Sequence, residues 1–253
     1  MKKSAGRRLK IIQLVNDIGQ VNVTALSNKF HVSEVTIRND LDQLAKSNRL
    51  VRNHGGAFKT NNLALAVSEK KSINHHSKRL IGKKAASLIK ENDSIILDSG
   101  TTTFEISNYL GKFEKAKIIT NGLDIVNNLS KFRNLQIFIP GGFLNEFTMS
   151  LTGPMAERNF KQLSCKKLFL GVDGIKAETG FFTHEFEDAQ LKQIMIQVAE
   201  EVIVVADSSK FNKIGVAFIE GFDEIHKIIT DKGIREESLK MLSRNQIEVI
   251  IAE

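Results

Sequence analysis

Residues 33–44 read Ser33-Glu34-Val35-Thr36-Ile37-Arg38-Asn39-Asp40-Leu41-Asp42-Gln43-Leu44. Ile37, Leu41 and Leu44 stand at i, i+4 and i+7, the spacing of one buried stripe on a helix. Ser33 is placed to cap that helix, because its hydroxyl can accept from a first-turn N–H. Upstream, His31-Val32 makes a tight connection to a helix carrying Ala25, Leu26 and Phe30, with Thr24 as its expected N-cap. Val21-Asn22-Val23 alternates as a very short strand would. Before it, Ile11, Leu14, Val15 and Ile18 repeat at helical intervals, and Gly19 ends the run. Downstream, Leu50-Val51-Arg52 reads as a strand and Gly55-Gly56 as a turn. The order is helix, helix, turn, helix, strand, turn, strand: a winged helix-turn-helix over residues 1–59.

The charge is distributed as that motif requires. Residues 1–59 hold 11 Lys+Arg and 4 Asp+Glu, a balance of +7, while residues 60–253 hold 25 of each. A compact basic segment beside a neutral body points to a polyanion partner, bound with release of counterions. The third helix of such a motif lays its N-terminal turns in the major groove of double-stranded DNA. Ser33 opens that helix. Glu34, Thr36, Arg38 and Asn39 are expected to reach base edges: Arg can bridge guanine, Asn can pair adenine, and Glu can accept from cytosine. Arg7, Arg8, Lys29, Arg52 and His54 are the phosphate candidates, where charge and position suffice. An intrahelical pair with Asp42 competes for Arg38. Asp40 is expected to pair within the motif, since a carboxylate facing phosphate is repelled. Paired half-sites in an operator call for a homodimer or homotetramer.

The remaining composition narrows the class. Hydrophobic residues make up 42% of the 253 and charged residues 26%, which excludes a wholly disordered chain. No apolar run approaches the roughly 18 residues of a membrane helix. The one cysteine, Cys165, begins an apolar run and reads as a buried small hydrophobe in a reduced, cytoplasmic protein. His75-His76 and His184-x2-Glu187 match no strong metal-ligand spacing, so neither metal nor cofactor is expected.

Residues 60–75 read as a connector, and 76–253 as a second domain. A helix runs from about Ser77 through Leu80, Ile81, Ala85, Leu88 and Ile89. Seven short apolar runs then alternate with helical segments: Ile95–Leu97, Ile118-Ile119, Ile137–Ile139, Leu168–Leu170, Val202–Ala206, Ile228-Ile229 and Val249–Ile251. Such alternation predicts an α/β domain with a mainly parallel sheet. Ligands of such sheets bind beyond the carboxyl ends of the strands, where polar loops gather here. Asp98-Ser99-Gly100-Thr101-Thr102-Thr103 follows one strand and opens a helix, a physical cradle for phosphate although not a Walker A loop. Thr120-Asn121-Gly122, Pro140-Gly141-Gly142, Asp173-Gly174 and Asp207-Ser208-Ser209-Lys210 follow four others. Five such loops point to one site for a small polar anion.

Three linked N-terminal motifs resemble those of the DeoR family of bacterial sugar-metabolism regulators. They are Arg7-x3-Ile11-x3-Val15, Ser33 to Leu41, and His54-Gly55-Gly56-Ala57. Many relatives carry a second Arg where this chain has Asn39, which alters base preference. The resemblance continues through Ile96 to Thr102, Thr120-Asn121, Gly141-Gly142, Gly171 to Gly174 and Asp207 to Lys210. It implies a C-terminal α/β sensor domain of the ribose-5-phosphate isomerase/CoA-transferase-like type, with a phosphorylated sugar as effector. By position, Ser99, Gly100, Thr101 and Thr102 would hold phosphate. Asp98, Asn121, Asp173, Glu185, Lys192 and Lys210 would contact the sugar or its phosphate, with Gly141 and Gly142 in the same set. Asp98 to Ile106, Thr183-His184 and Asp207 to Asn212 resemble the N-acetylgalactosamine (Aga-type) repressors, which suggests an amino-sugar or galactose-series phosphate. The expected function is a repressor released by that effector. The alternative is an isomerase-like enzyme fused to a DNA-binding module, with Asp173, Glu185 and Lys192 as acid–base groups.

Overall fold

The computed structural model describes residues 2–46, 49–52, 55–58 and 70–253. The chain divides into two compact units, the first ending at Leu65 and the second beginning at Ala66.

The first unit runs α1 (Lys2–Ile18), β1 (Gln20–Asn22), α2 (Val23–Phe30), α3 (Glu34–Lys46), β2 (Val51–Arg52), β3 (Gly56–Phe58). Its strands form an antiparallel sheet in the order β1-β3-β2. The helical stripes close on one core that includes Ile11, Val15, Leu26, Ile37, Leu41 and Leu44. Each such side chain contributes about 1.5–3 kcal/mol on burial. Ile18 departs from the expected stripe: it is the last residue of α1 and lies exposed. Gly19 then takes a left-handed φ of +85°, and its N–H still reaches the Val15 carbonyl at 2.9 Å. Ser33 caps α3, its Oγ accepting from the Thr36 N–H at 3.2 Å. The cap of α2 is Asn22 rather than Thr24. Asn22 ends β1 in extended backbone, so its Oδ1 meets the N–H groups of Thr24 (2.8 Å) and Ala25 (3.4 Å). Thr24 lies inside the helix, and its hydroxyl donates to Glu34 Oε1 at 2.7 Å.

The second unit runs α4 (His75–Ala86), β4 (Ser94–Leu97), α5 (Thr101–Ser107), β5 (Lys117–Thr120), α6 (Leu123–Leu129), β6 (Gln136–Phe138), β7 (Phe143–Asn145), β8 (Ser150–Thr152), α7 (Pro154–Phe160), β9 (Cys165–Gly171), β10 (Gly174–Lys176), β11 (Gly180–Thr183), α8 (Phe186–Gln197), β12 (Ala199–Val205), β13 (Ala217–Glu220), β14 (Lys227–Asp231), α9 (Glu236–Arg244) and β15 (Glu248–Ala252). Seven strands form one wholly parallel sheet in the order β15-β14-β12-β9-β4-β5-β6. Both faces are covered, as parallel sheets require. Along β9, Leu168 and Leu170 face a core that holds Leu191 and Met195 of α8, while Phe169 faces the opposite core with Ile81 of α4 and Ile106 of α5. Strands β10, β11 and β13 form a small antiparallel sheet, and β7 pairs β8.

Candidate functional site

In the first unit the start of α3 presents the side chains expected to meet bases. Ser33, Arg38 and Asn39 are exposed; Glu34 and Thr36 are half-buried. Arg38 pairs backward with Glu34 (2.7 Å) and not forward with Asp42, which is held by Arg52. An exposed pair of this kind is worth at most about 1 kcal/mol, so Arg38 can exchange Glu34 for a base edge at little cost. Asp40 is buried and pairs within the unit, with Arg7 at 2.6 Å and Arg8 at 3.9 Å. Arg7 is thereby committed to the fold, while Lys29 is exposed. His54 lies outside the described residues.

In the second unit, β5 and β6 extend the sheet to one side of β4, while β9 and β12 extend it to the other. Loops that leave β4 and β9 therefore part company, which makes this the switch point where sheets of this kind form their ligand crevice. Asp98 sits there, fully buried. Its Oδ2 accepts from the Gly171 N–H at 2.9 Å and pairs with the Lys192 ammonium; its Oδ1 has no hydrogen-bond partner among the described residues. Burial raises the Asp98 pKa to about 6, against the pull of Lys192. Burial also works against the Lys192 ammonium, but Asp188 (3.5 Å) and Asp98 outweigh it and push its pKa above the ordinary value. Lys192 thus lies beneath the crevice and not on its wall.

The polar chain continues outward. Thr183 Oγ1 donates to Asp188 at 2.7 Å and lies 3.3 Å from Asp173. Asp173 pairs with Lys70 (2.8 Å) and Lys210 (3.5 Å). Burial opposes its charge, yet these two ammonium groups outweigh burial and hold the carboxyl well below the usual range. His184 stands 4.0 Å from Asp173, and burial lowers its pKa, so the ring is neutral near pH 7. Glu185, half-buried at the entry to α8, is raised by burial and by Asp188 and Glu187.

The hydroxyl loop is tied to its neighbours. Asn121 Oδ1 accepts from the Ser99 N–H at 3.1 Å, and Asn121 Nδ2 donates to the Leu151 carbonyl at 3.3 Å. Gly142, at φ +119°, lies against β8: a Cβ there would stand 2.4 Å from the Thr152 carbonyl oxygen. Thr101 and Thr102 are buried in the first turn of α5; Ser99, Gly100 and Gly141 are partly open. Asp98, Ser99 to Thr102, Asn121, Gly141, Gly142, Asp173 and Lys210 thus stand at the carboxyl ends of five adjacent strands.

Sequence reasoning missed part of this set. Lys70 and Asn74 fall in the stretch read as a connector, yet Lys70 pairs with Asp173 and Asn74 donates to Asp207 at 2.8 Å. Residues 60–69 of that stretch lie outside the described residues. Lys78 is buried, with its ammonium donating to the Lys70 carbonyl at 2.6 Å. Burial lowers its pKa to about 8; Asp207 opposes, while Lys210 and Lys70 lower it further. The available signal was phase. Lys78 precedes Ile81 and Ala85 by three and seven residues, on the apolar stripe of α4. Among the described residues, no group of three His, Cys, Asp or Glu could hold a metal ion, and no helix is long and apolar enough to cross a membrane.

A winged helix-turn-helix joined to an α/β unit with an anion-suited crevice defines a ligand-responsive DNA-binding regulator. Comparison with known proteins agrees. Residues 7–62 match the DeoR-like helix-turn-helix domain, and residues 73–232 match the DeoR C terminal sensor domain. The chain belongs to the DeoR family. It is similar to a protein of Escherichia coli O157:H7 named as a candidate aga operon transcriptional repressor, at 40% identity over 97% of this chain and 93% of that one. It is also similar to the lactose phosphotransferase system repressor of Lactococcus lactis subsp. lactis, at 30% identity over 94% and 95%. A ribose 5-phosphate isomerase structure from Methanocaldococcus jannaschii aligns with 55% of each chain at 18% identity and a TM-score of 0.40. The chain is a transcriptional regulator, not an enzyme.

Proposed function

We propose that this regulator represses a sugar or amino-sugar catabolic operon in the cytoplasm, and that a phosphorylated sugar at the strand-end loops releases it from its operator. One observation carries the reading. Lys70, Lys78 and Lys210 gather around Asp173 and Asp207 at the ends of β9 and β12, beside the hydroxyl loop that ends β4. Ammonium groups and a helix-opening hydroxyl loop suit a phosphate, and buried carboxylates suit sugar hydroxyls. The names of the Escherichia coli and Lactococcus lactis relatives favour a galactose-series or amino-sugar phosphate. The effector must bind the DNA-incompetent arrangement more tightly than the DNA-bound one. An operator with two half-sites engages a dimer or a tetramer.

A gel-shift titration on DNA upstream of the gene, with and without a panel of sugar phosphates, tests this. Release by one phosphate and not by its unphosphorylated sugar is the expected result. Thr101→Ala with Thr102→Ala should blunt that release while DNA binding persists. Specific DNA binding that no sugar phosphate alters would remove the sensor reading.

A further inference from the structure

The segment 134–156 holds one charged residue, Glu146, in a chain that is 26% charged. At the chain's average it would hold about six, and charge depletion of this kind marks the core of protein interfaces. The segment's large apolar side chains are in good part exposed. Phe143 is 75% exposed and Met155 52%, and Phe138, Ile139 and Leu144 are exposed as well. It contains β6, one of the two edge strands of the parallel sheet, and the β7–β8 hairpin. Its parts adjoin: an atom added at Gly153 would touch the Phe143 ring at 3.1 Å, and one at Gly141 would touch Met155 Sδ at 3.3 Å. We infer that this face is where a second copy of the chain docks, with Phe143 and Met155 at its centre.

Size and charge identify the occupant. Leu144 follows Phe143 in β7 and so faces the other side of the hairpin. With roughly 200 Å² for a whole large side chain, Phe138, Ile139, Phe143 and Met155 offer about 400 Å² per copy, within the range of the largest apolar patches on monomers. Two copies meeting would cover about 800 Å² of apolar area, the apolar share of an interface of about 1,300 Å², inside the standard range. An isologous contact sets each residue against the same surface of its partner. A charged face would repel its own copy; this nearly uncharged one does not. The inference stands apart from the effector reading, because it needs neither sugar nor DNA.

Sedimentation velocity on the full-length protein at about 10 μM tests it, with Phe143→Glu and Met155→Glu made separately and together. The expected result is an oligomeric parent whose mass is halved by the double variant, with the thermal transition retained. Ile214→Glu, at an exposed apolar residue elsewhere, should leave the parent mass unchanged. Phe143→Ser with Met155→Ser serves if the glutamates prevent folding, and it should weaken association at least tenfold. A monomeric parent, or a folded double variant of unchanged mass, overturns the proposal.

Discussion

Lys192→Met is the sharpest probe of the ion network under the crevice. The substitution keeps the buried methylene stem and removes the ammonium that serves Asp98 and Asp188. Breaking a buried pair by deleting one partner costs about 3–5 kcal/mol, because the other charge stays behind. In a unit of this size that lowers the melting temperature by roughly 6–20 °C. The loss has a pH signature. In the parent, Asp98 titrates at about 6 when folded, above its ordinary value of 3.8. Between these values the folded state holds the extra proton, so stability falls as pH rises through that window and levels off above it. Without Lys192 the midpoint climbs higher still. The variant's deficit is therefore complete only at alkaline pH and shrinks on acidification, as Asp98 becomes a neutral acid. Each pH unit by which the midpoint climbs returns about 1.4 kcal/mol at pH 5. Urea denaturation followed by circular dichroism at pH 5 and pH 8.5 measures both quantities, with the exposed Lys115→Met as a control that should stay within about 0.5 kcal/mol of the parent. A deficit below about 1 kcal/mol at pH 8.5, or an equal deficit at both pH values, would refute the argument. Lys192 would then be a group that the fold leaves free to meet ligand.

Other outcomes follow from the same geometry. Arg38→Ala should weaken specific operator binding by about 1–3 kcal/mol in a gel shift and leave random-sequence binding nearly unchanged; equal loss on both would reduce Arg38 to a phosphate contact. Gly56→Ala should unseat β3, because its Cβ would lie 1.9 Å from the Val21 carbonyl oxygen; a melt of the DNA-reading unit within about 0.5 kcal/mol of the parent would contradict this. Asn22→Ala should cost the same unit about 1 kcal/mol and Thr24→Ala less, since Asn22 holds the cap; the reverse order would restore Thr24. Effector affinity, measured by calorimetry, should fall as pH rises through about 8, where Lys78 loses its proton and its attraction for phosphate; a flat profile from pH 7 to 9 would place the phosphate away from Lys78.

The strand pattern of the second unit was legible because burial on both faces leaves a strong mark. All seven apolar runs became strands of the parallel sheet, and the polar loops after them fell at one end, as parallel strands require. The antiparallel pieces were less legible. β10 and β7 are three residues long, and pairs such as Gly174–Phe182 and Asn145–Ser150 give no alternation to read. The same division runs through the site. Residues in loops between strong strands were found by position. Lys78, Asp188 and Lys192 were harder to place, because each is a charge on the buried side of a helix, in phase with Ile81, Leu191 and Met195. A charge in that phase is costly unless a partner of opposite sign waits across the interface. The partner of Lys192, Asp98, lies 94 residues earlier, and no local pattern reports a distance of that kind. Helical phase can show that such a charge needs a partner, but only the sheet order, with β4 beside β9, shows which carboxylate answers it.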